Sequence, residues 1–265
     1  MKTEQPAMHR IEKAVDEAKD TRTFIFSGSL DAKPGQFVNV WLPGIDEKPF
    51  SVSYQDSERF GITVFSAGPF SRKLNSLKEG DMVGIRGPYG RGFTMGKCNA
   101  VLVGGGCGTA PLAFLANELR SMGTKVDFIL GAKTIDHVMY VGRMKKAGAV
   151  MHIATDDGSC GSKGFATDLL ESVITKRKRT GMIYTCGPEV MMKKAIDISD
   201  KHGIDCEASM ERYMKCGFGI CGQCCLDNTG LRVCKEGPVF SKSMLKQTFE
   251  FGKYRRDASG KKIPL

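Results

Sequence analysis

Apolar positions near the start of the chain come in short β-rich runs: Thr23-Phe24-Ile25-Phe26, Gln36 to Leu42 and Phe60 to Ser66. Turn residues separate them, notably Lys33-Pro34-Gly35, Pro43-Gly44 and Lys78-Glu79-Gly80-Asp81. This spacing predicts an antiparallel barrel or sandwich. The breaker cluster Gly87-Pro88-Tyr89-Gly90-Arg91-Gly92 is expected to close it. From Asn99 the rhythm changes. Ala100 to Val103 is a continuous apolar run, followed by a glycine turn and an apolar helical segment to Met122. Val126 to Leu130, Val150 to Ala154 and Met182 to Cys186 predict three more buried strands, with helical patterns at Gly164 to Ile174 and Glu189 to His202. Strands alternating with helices predict parallel βαβ units. Near Cys206 the pattern breaks again. The expected organisation is therefore multidomain: an antiparallel β-barrel at 1–96, an α/β parallel-sheet domain at 97–205 and a small cysteine-rich segment at 206–265.

Composition narrows the class. With 265 residues, 41% hydrophobic and 26% charged, the chain is long enough for two compact domains and is neither disordered nor fibrous. Met1 to Asp20 carries nine charges and no apolar run, so no signal peptide is expected. Cys98 to Asn117 is free of charge, but Gly104, Gly105, Gly106, Gly108 and Pro111 make it a strand, turn and helix rather than a membrane span. A cytoplasmic protein is expected, with no membrane partner. The net charge of +10 fits an anionic cofactor, an acidic partner or nucleic acid. The basic runs, Lys176-Arg177-Lys178-Arg179 and Lys253, Arg255, Arg256, Lys261 and Lys262, are not interleaved with aromatics. They read as solvated surface, and no nucleic-acid partner is expected.

Ten cysteines in a reducing compartment call for another role than disulfides. Cys98, Cys107, Cys160, Cys186, Cys206 and Cys225 read as small buried hydrophobes. Cys216, Cys221, Cys224 and Cys234 form C-x4-C-x2-C followed by a lone fourth cysteine, the spacing associated with plant-type [2Fe–2S] clusters. Gly217, Gly219 and Gly222 let such a loop wrap closely and turn backbone N–H groups toward sulfur. The alternative is zinc, whose sites usually pair two C-x2-C halves; only one half here has that spacing.

Val103-Gly104-Gly105-Gly106-Cys107-Gly108-Thr109 follows a strand and opens a helix, a place to hold a pyrophosphate or simply a tight connection. It does not complete G-x-G-x-x-G. Two further turns, Ala154-Thr155-Asp156-Asp157-Gly158 and Thr185-Cys186-Gly187-Pro188, end strands on the same edge, where parallel sheets bind ligands. Asp127 lies where an acidic residue could meet a ribose hydroxyl, and Lys133 where a cation could meet a 2′-phosphate, so NAD and NADP stay open. In the β-rich part, Lys48-Pro49-Phe50-Ser51 and Gly68-Pro69-Phe70-Ser71 could each contact a phosphate, Ser71 near a helix N-cap, or be ordinary turns.

The order of these motifs resembles the ferredoxin–NADP reductase superfamily. The tail, Met210-Glu211-Arg212-Tyr213-Met214-Lys215 running into the cysteine motif and then Val233-Cys234-Lys235-Glu236-Gly237-Pro238-Val239-Phe240, resembles the electron-transfer subunits of dihydroorotate dehydrogenase B. The resemblance implies an FAD-binding barrel, an NAD-binding α/β domain and a C-terminal [2Fe–2S] segment. It places FAD at Lys48, Pro49, Phe50, Ser51, Val64, Phe65, Gly68 and Ser71. It places NAD at Gly104, Gly105, Gly106, Gly108, Thr109, Asp156, Cys186, Gly187 and Pro188, and the cluster on Cys216, Cys221, Cys224 and Cys234. Lys48 stands where the family usually has arginine, keeping the charge but losing the bidentate fork. Phe70 stands where a second glycine is common.

The implied activity is an NAD-linked flavin and iron–sulfur relay, with no catalytic acid, base or nucleophile on this chain. Electrons would pass from dihydroorotate on an FMN-containing catalytic subunit through the cluster and FAD to NAD+, in pyrimidine biosynthesis and in a heterotetramer of two copies of each subunit. Activity on dihydroorotate would need that partner. Gly217-Phe218-Gly219-Ile220 either offers two exposed apolar side chains to it or shields the cluster with them. Two other readings stand beside this one: a diaphorase subunit of a hydrogenase or ferredoxin–NAD(P) oxidoreductase complex, and a cysteine-rich metal-binding regulatory protein.

Overall fold

A computed structural model describes residues 4–177 and 180–265. Met1, Lys2 and Thr3, and Lys178 and Arg179 of the first basic run, lie outside the described residues. The amino-terminal strands are β1 Ala7–Ala18, β2 Thr21–Ser27, β3 Phe37–Leu42, β4 Asp46–Gln55, β5 Arg59–Phe65 and, after helix α1 Pro69–Asn75, β6 Met82–Tyr89. They close into an antiparallel barrel in the order β1-β2-β5-β4-β3-β6. Phe24, Phe26, Val38, Val40, Ile62 and Val83 fill it. The apolar pattern marks β2, β3 and β5 because these strands bury most of their residues. It misses β1, where Ile11 alone is buried in a run of charged residues, and β4, which is largely half-exposed. The expected breaker at Gly87-Pro88-Tyr89 lies inside β6 rather than after it: β1 pairs only with Met82 to Ile85, whereas β3 stays paired as far as Tyr89 across a bulge between Phe37 and Asn39 that accommodates Gly87-Pro88.

The second half contains β7 Ala100–Gly105, α2 Thr109–Ser121, β8 Val126–Ala132, α3 Val141–Lys146, β9 Val150–Thr155, β10 Ser162–Lys163, α4 Ala166–Lys176, β11 Met182–Cys186, α5 Glu189–Lys201, β12 Asp205–Ser209, β13 Val239–Ser241 and α6 Lys242–Lys246. A small hairpin, β14 Tyr254–Arg256 and β15 Lys262–Pro264, ends the chain. The sheet order is β10-β9-β8-β7-β11-β12-β13, parallel except for β13. Alternation along the buried strands feeds two faces: Val101 and Val103 of β7 share a core with Leu170, Ile183 and Ile196, whereas Ala100 and Leu102 share one with Leu112, Phe128 and Tyr184.

Two features join the parts. Phe114 of α2 belongs to the barrel's core, and the buried hydroxyl of Tyr140 meets that of Thr63 while Arg143 donates to the Ser53 carbonyl at 2.6 Å. The cysteine-rich loop leaves the sheet at β12 and returns to it at β13. Cys224, Leu226, Val233 and Cys234 consequently share a core with Ile183 and Ile196. Among the described residues, no helix is long and apolar enough to cross a membrane. The uncharged stretch from Cys98 divides between β7, the glycine turn and α2.

Candidate functional site

The cysteine loop is shaped by its glycines. Gly217, Gly219 and Gly222 have φ of +84°, +90° and +70°, a region that costs a side chain steric strain. These turns aim backbone N–H groups at sulfur: Cys221 N–H donates to Cys216 Sγ at 3.5 Å, and Cys234 N–H to Cys224 Sγ at 3.4 Å. The thiols thus stand as two pairs. Among the described residues, no three His, Cys, Asp or Glu side chains gather around one ion position. Burial opposes ionisation of Cys216, but the N–H groups of Cys221, Phe218 and Ile220 outweigh it and hold the thiol down at about 6. Burial, with the neighbouring Cys224, pushes Cys234 up to about 12. Arg232 clamps the loop, donating to the Gly219 carbonyl at 2.7 Å and pairing with Glu236. Cys225 is half-buried, its N–H donating to the Gly222 carbonyl at 3.1 Å and its residue bridged to Arg232.

The loop sits on the barrel. The Phe218 ring lies 6.2 Å from Tyr89 and 5.5 Å from the Arg86 guanidinium, which is itself paired with Glu47. Phe218 therefore packs inward, while Ile220 is 79% exposed; of the two apolar side chains weighed for a partner, one is outward. The Lys48 ammonium pairs with Asp46 and lies 5.9 Å from the Tyr213 ring, three residues before Cys216. The two flavin motifs expected in the barrel meet in space: Phe50 and Phe70 stack at 6.1 Å. Ser71 lies near the N-cap as expected, at the third position of α1, where its hydroxyl accepts from the N–H of the cap residue Gly68 at 2.9 Å. Pro49 and Ser51 lie in β4 opposite Asn39 and Phe37. Val64 is wholly inside the barrel, leaving only its backbone for a ligand, and Phe65 beside it is 38% exposed.

The third group of residues lies at the carboxyl edge of the parallel sheet. Strand order reverses between β7 and β11, which makes the gap between their turns a topological switch point. The two turns touch backbone to backbone. A Cβ on Gly108 would lie 2.3 Å from the Cys186 carbonyl oxygen, one on Gly187 2.9 Å from that of Gly105, and one on Gly105 2.8 Å from Pro188. Gly106 adopts φ +54°, and Thr109, fully buried, has a hydroxyl with no hydrogen-bond partner among the described residues. Gly104 packs on that threonine. Asp156 is exposed after β9, its N–H bound to the Ala132 carbonyl at the end of β8. Burial and the neighbouring Cys107 push the Cys186 thiol far above the ordinary range. Asp127 corrects the sequence expectation. It sits at the amino end of β8, its carboxylate bound to Arg177 and His152 at 2.8 Å each, on the edge away from the glycine turn. Lys133, by contrast, is exposed at the carboxyl edge.

Three residues that join these regions carried no signal of their own in the sequence. Arg212 is buried between Glu189, the first residue of α5, and Glu250. Tyr213 faces Lys48, and Asn39 of β3 lies against Gly217. Arg212 and Tyr213 fall in the run just ahead of the first cluster-spaced cysteine, the one local cue available.

Residues 211–246 match the family described as the iron-sulfur cluster binding domain of dihydroorotate dehydrogenase B, and residues 102–197 the oxidoreductase NAD-binding domain. The probable dihydroorotate dehydrogenase B (NAD(+)) electron transfer subunit of Methanocaldococcus jannaschii is 46% identical over 260 residues, covering 98% of this chain and 99% of its own. That of Methanothermobacter thermautotrophicus is 47% identical over 263 residues, covering 98% and 97%. A solved structure of an NADH-dependent reduced ferredoxin-NADP oxidoreductase superposes with a TM-score of 0.81 at 29% identity, over 92% of this chain and 90% of that one. The FAD/NAD-binding domain of nitric oxide dioxygenase from Vibrio cholerae shares the fold, with a TM-score of 0.67 at 19% identity over 76% and 94%. The chain belongs to the family of dihydroorotate dehydrogenase B electron transfer subunits.

Proposed function

We propose that this chain carries electrons from an FMN-containing dihydroorotate dehydrogenase catalytic subunit, through a [2Fe–2S] cluster and FAD, to NAD+. The flavin, when bound, links one-electron transfer to the two-electron hydride chemistry of the nicotinamide. The observation that carries the reading is the seating of the cysteine loop on the barrel, where Tyr213 meets Lys48 of the flavin motif.

Cys216 with Cys221 and Cys224 with Cys234 would hold the two irons; the C-x4-C-x2-C spacing and the match of residues 211–246 to an iron-sulfur cluster binding domain support this over a single zinc. Lys48, Pro49, Phe50, Ser51, Val64, Phe65, Gly68 and Ser71 would hold FAD. Gly104, Gly105, Gly106, Gly108, Thr109, Asp156, Cys186, Gly187 and Pro188 would hold NAD at the switch point. The residues divide as 1–96, 97–205 and 206–265 by the group each part would hold, although the last shares a core with the sheet. All ten cysteines are free, which supports a cytoplasmic setting. The assembly would contain two copies of each subunit.

The test is reconstitution. The purified chain alone should oxidise NADH with an artificial acceptor but leave dihydroorotate untouched. Mixed with the catalytic subunit of the same organism, it should confer dihydroorotate-dependent NAD+ reduction. Ile220→Asp should weaken that association without removing iron, because Ile220 is the exposed apolar side chain of the loop. No association on size exclusion and no coupled activity would assign the chain to a different redox complex.

A further inference from the structure

We infer that Asn39 is a positioning residue that holds the cluster loop against the flavin side of the barrel and sets the cluster's electronic surroundings. The inference rests on the cluster and flavin assignments above. Side chains on β3 alternate. Val38, Val40 and Leu42 fill the barrel, while Phe37 packs into the other core, the one that contains Cys224 and Cys234. Asn39 shares the outward face with Phe37, yet it is only 1% exposed. The cysteine loop covers it: a Cβ on Gly217, the residue after Cys216, would lie 2.8 Å from Asn39 Nδ2 and 3.3 Å from its Oδ1. Either orientation of the amide therefore sets a polar atom against the loop backbone.

Within the barrel, the same residue stands opposite Pro49 of the Lys-Pro-Phe-Ser motif on β4 and opposite Arg86 on β6. One residue thus touches the loop that follows the first cluster cysteine and pairs with the strand that carries the flavin motif. Its amide is only half satisfied within the barrel. Nδ2 donates to Glu47 at 3.4 Å, a carboxylate that also accepts from Arg86 at 2.6 Å. Oδ1 has no hydrogen-bond partner among the described residues. A buried amide left in this state is rare, and an apolar side chain would cover the face without desolvating a polar group. The placement is explained if the amide dipole acts on the bound cluster, since hydrogen bonds and dipoles around the sulfurs set cluster potential. Electrons would then pass one at a time between two groups held at a constant separation, with no bond made or broken.

The test uses the full chain with both groups bound and the variants Asn39→Leu and Asn39→Asp. Iron, sulfide and flavin content should stay at the wild-type level in both. Potentiometric titration followed by electron paramagnetic resonance should show a more negative cluster midpoint in Asn39→Asp, where a negative charge disfavours reduction. Rapid mixing should show electron exchange between cluster and flavin slowed about tenfold or more in Asn39→Leu, the lower end of what loss of an outer-shell partner usually costs. Unchanged midpoint and unchanged exchange in both variants would overturn the inference. So would loss of the cluster from both, which would make Asn39 a packing contact only. A wild-type chain without any [2Fe–2S] signal would overturn the cluster assignment itself, and this inference with it.

Discussion

The guanidinium of Arg212 donates to Glu189, through Nη2 at 3.3 Å, and on its other side its Nε donates to Glu250 at 2.6 Å; Arg212 and Glu250 are 3% and 1% exposed. Glu189 opens α5 directly after Cys186-Gly187-Pro188, and Arg212 lies four residues before Cys216. Glu250 also accepts from Asp227 N–H at 2.8 Å. A single buried cation therefore joins the nucleotide crevice, the start of the cysteine loop and the carboxyl-terminal segment.

Arg212→Met should be strongly destabilising, because it leaves two buried carboxylates facing each other without a cation. Removing one partner of a buried pair costs about 3–5 kcal/mol. Urea denaturation of the variant checks this. Arg212→Lys should recover only part of the loss, since an ammonium cannot reproduce the fork that spans two carboxylates. A loss for Arg212→Met of below about 1 kcal/mol, the range of exposed pairs, would refute the coupling.

Cys216→Ser, Cys221→Ser, Cys224→Ser and Cys234→Ser should each lose the cluster, whereas Cys225→Ser should keep it. The loop presents the first four as two sulfur pairs served by backbone N–H groups, and ties Cys225 to Arg232 instead. Iron and acid-labile sulfide are the measurements. Full cluster content in Cys234→Ser would remove that residue from the ligand set.

Lys48→Ala and Ser51→Ala should weaken FAD retention while leaving iron in place. A lost charge-assisted contact costs about 1.5–3 kcal/mol, or ~10- to 100-fold in affinity. In Lys48→Ala the ion pair with Asp46 goes too, but that pair is exposed and adds little. Equilibrium dialysis of flavin decides the matter; wild-type affinity in both variants would make Lys-Pro-Phe-Ser a structural strand and nothing more.

Acid should loosen the carboxyl-terminal hairpin before the rest of the fold. Hydrogen bonds from Arg256 and Tyr254 hold the Asp227 carboxyl down at about 2, against an ordinary value of about 3.9. A carboxyl with a depressed native value stabilises the fold above its unfolded value, and that contribution is lost as pH falls through the native one. The window is therefore pH ~4 down to ~2. Hydrogen exchange across β14 and β15 should rise in that window in the wild type. In Asp227→Asn it should be raised at neutral pH and flat across the window; a pH-dependent rise that survives in Asp227→Asn would point to another group.

What could be read from residues alone was whatever the chain specifies locally. Four cysteines that must reach one small cluster have to be close in sequence or in a returning loop, so C-x4-C-x2-C and Cys234 declare themselves by spacing. Buried parallel strands declare themselves by continuous apolar runs, and Met182 to Cys186 was read with the bounds that the fold has. Strands that face water on one side and cover a neighbour on the other carry too few apolar residues to stand out, which is why β1 and β4 emerge only from pairing. Which way a side chain turns is decided by what packs on it, and that depends on residues far away in the chain. Phe218 turns to Tyr89 and Arg86 while Ile220 is left in solvent. Asp127 is consumed by Arg177 and His152 because β8 places it at the amino edge of the sheet. Asn39 acquires meaning only when a loop from the other end of the chain folds over its strand. Spacing within a loop is a property of the chain, whereas contact between loop and barrel is a property of the closed fold, because burial and desolvation, which select those contacts, exist only once both parts are in place.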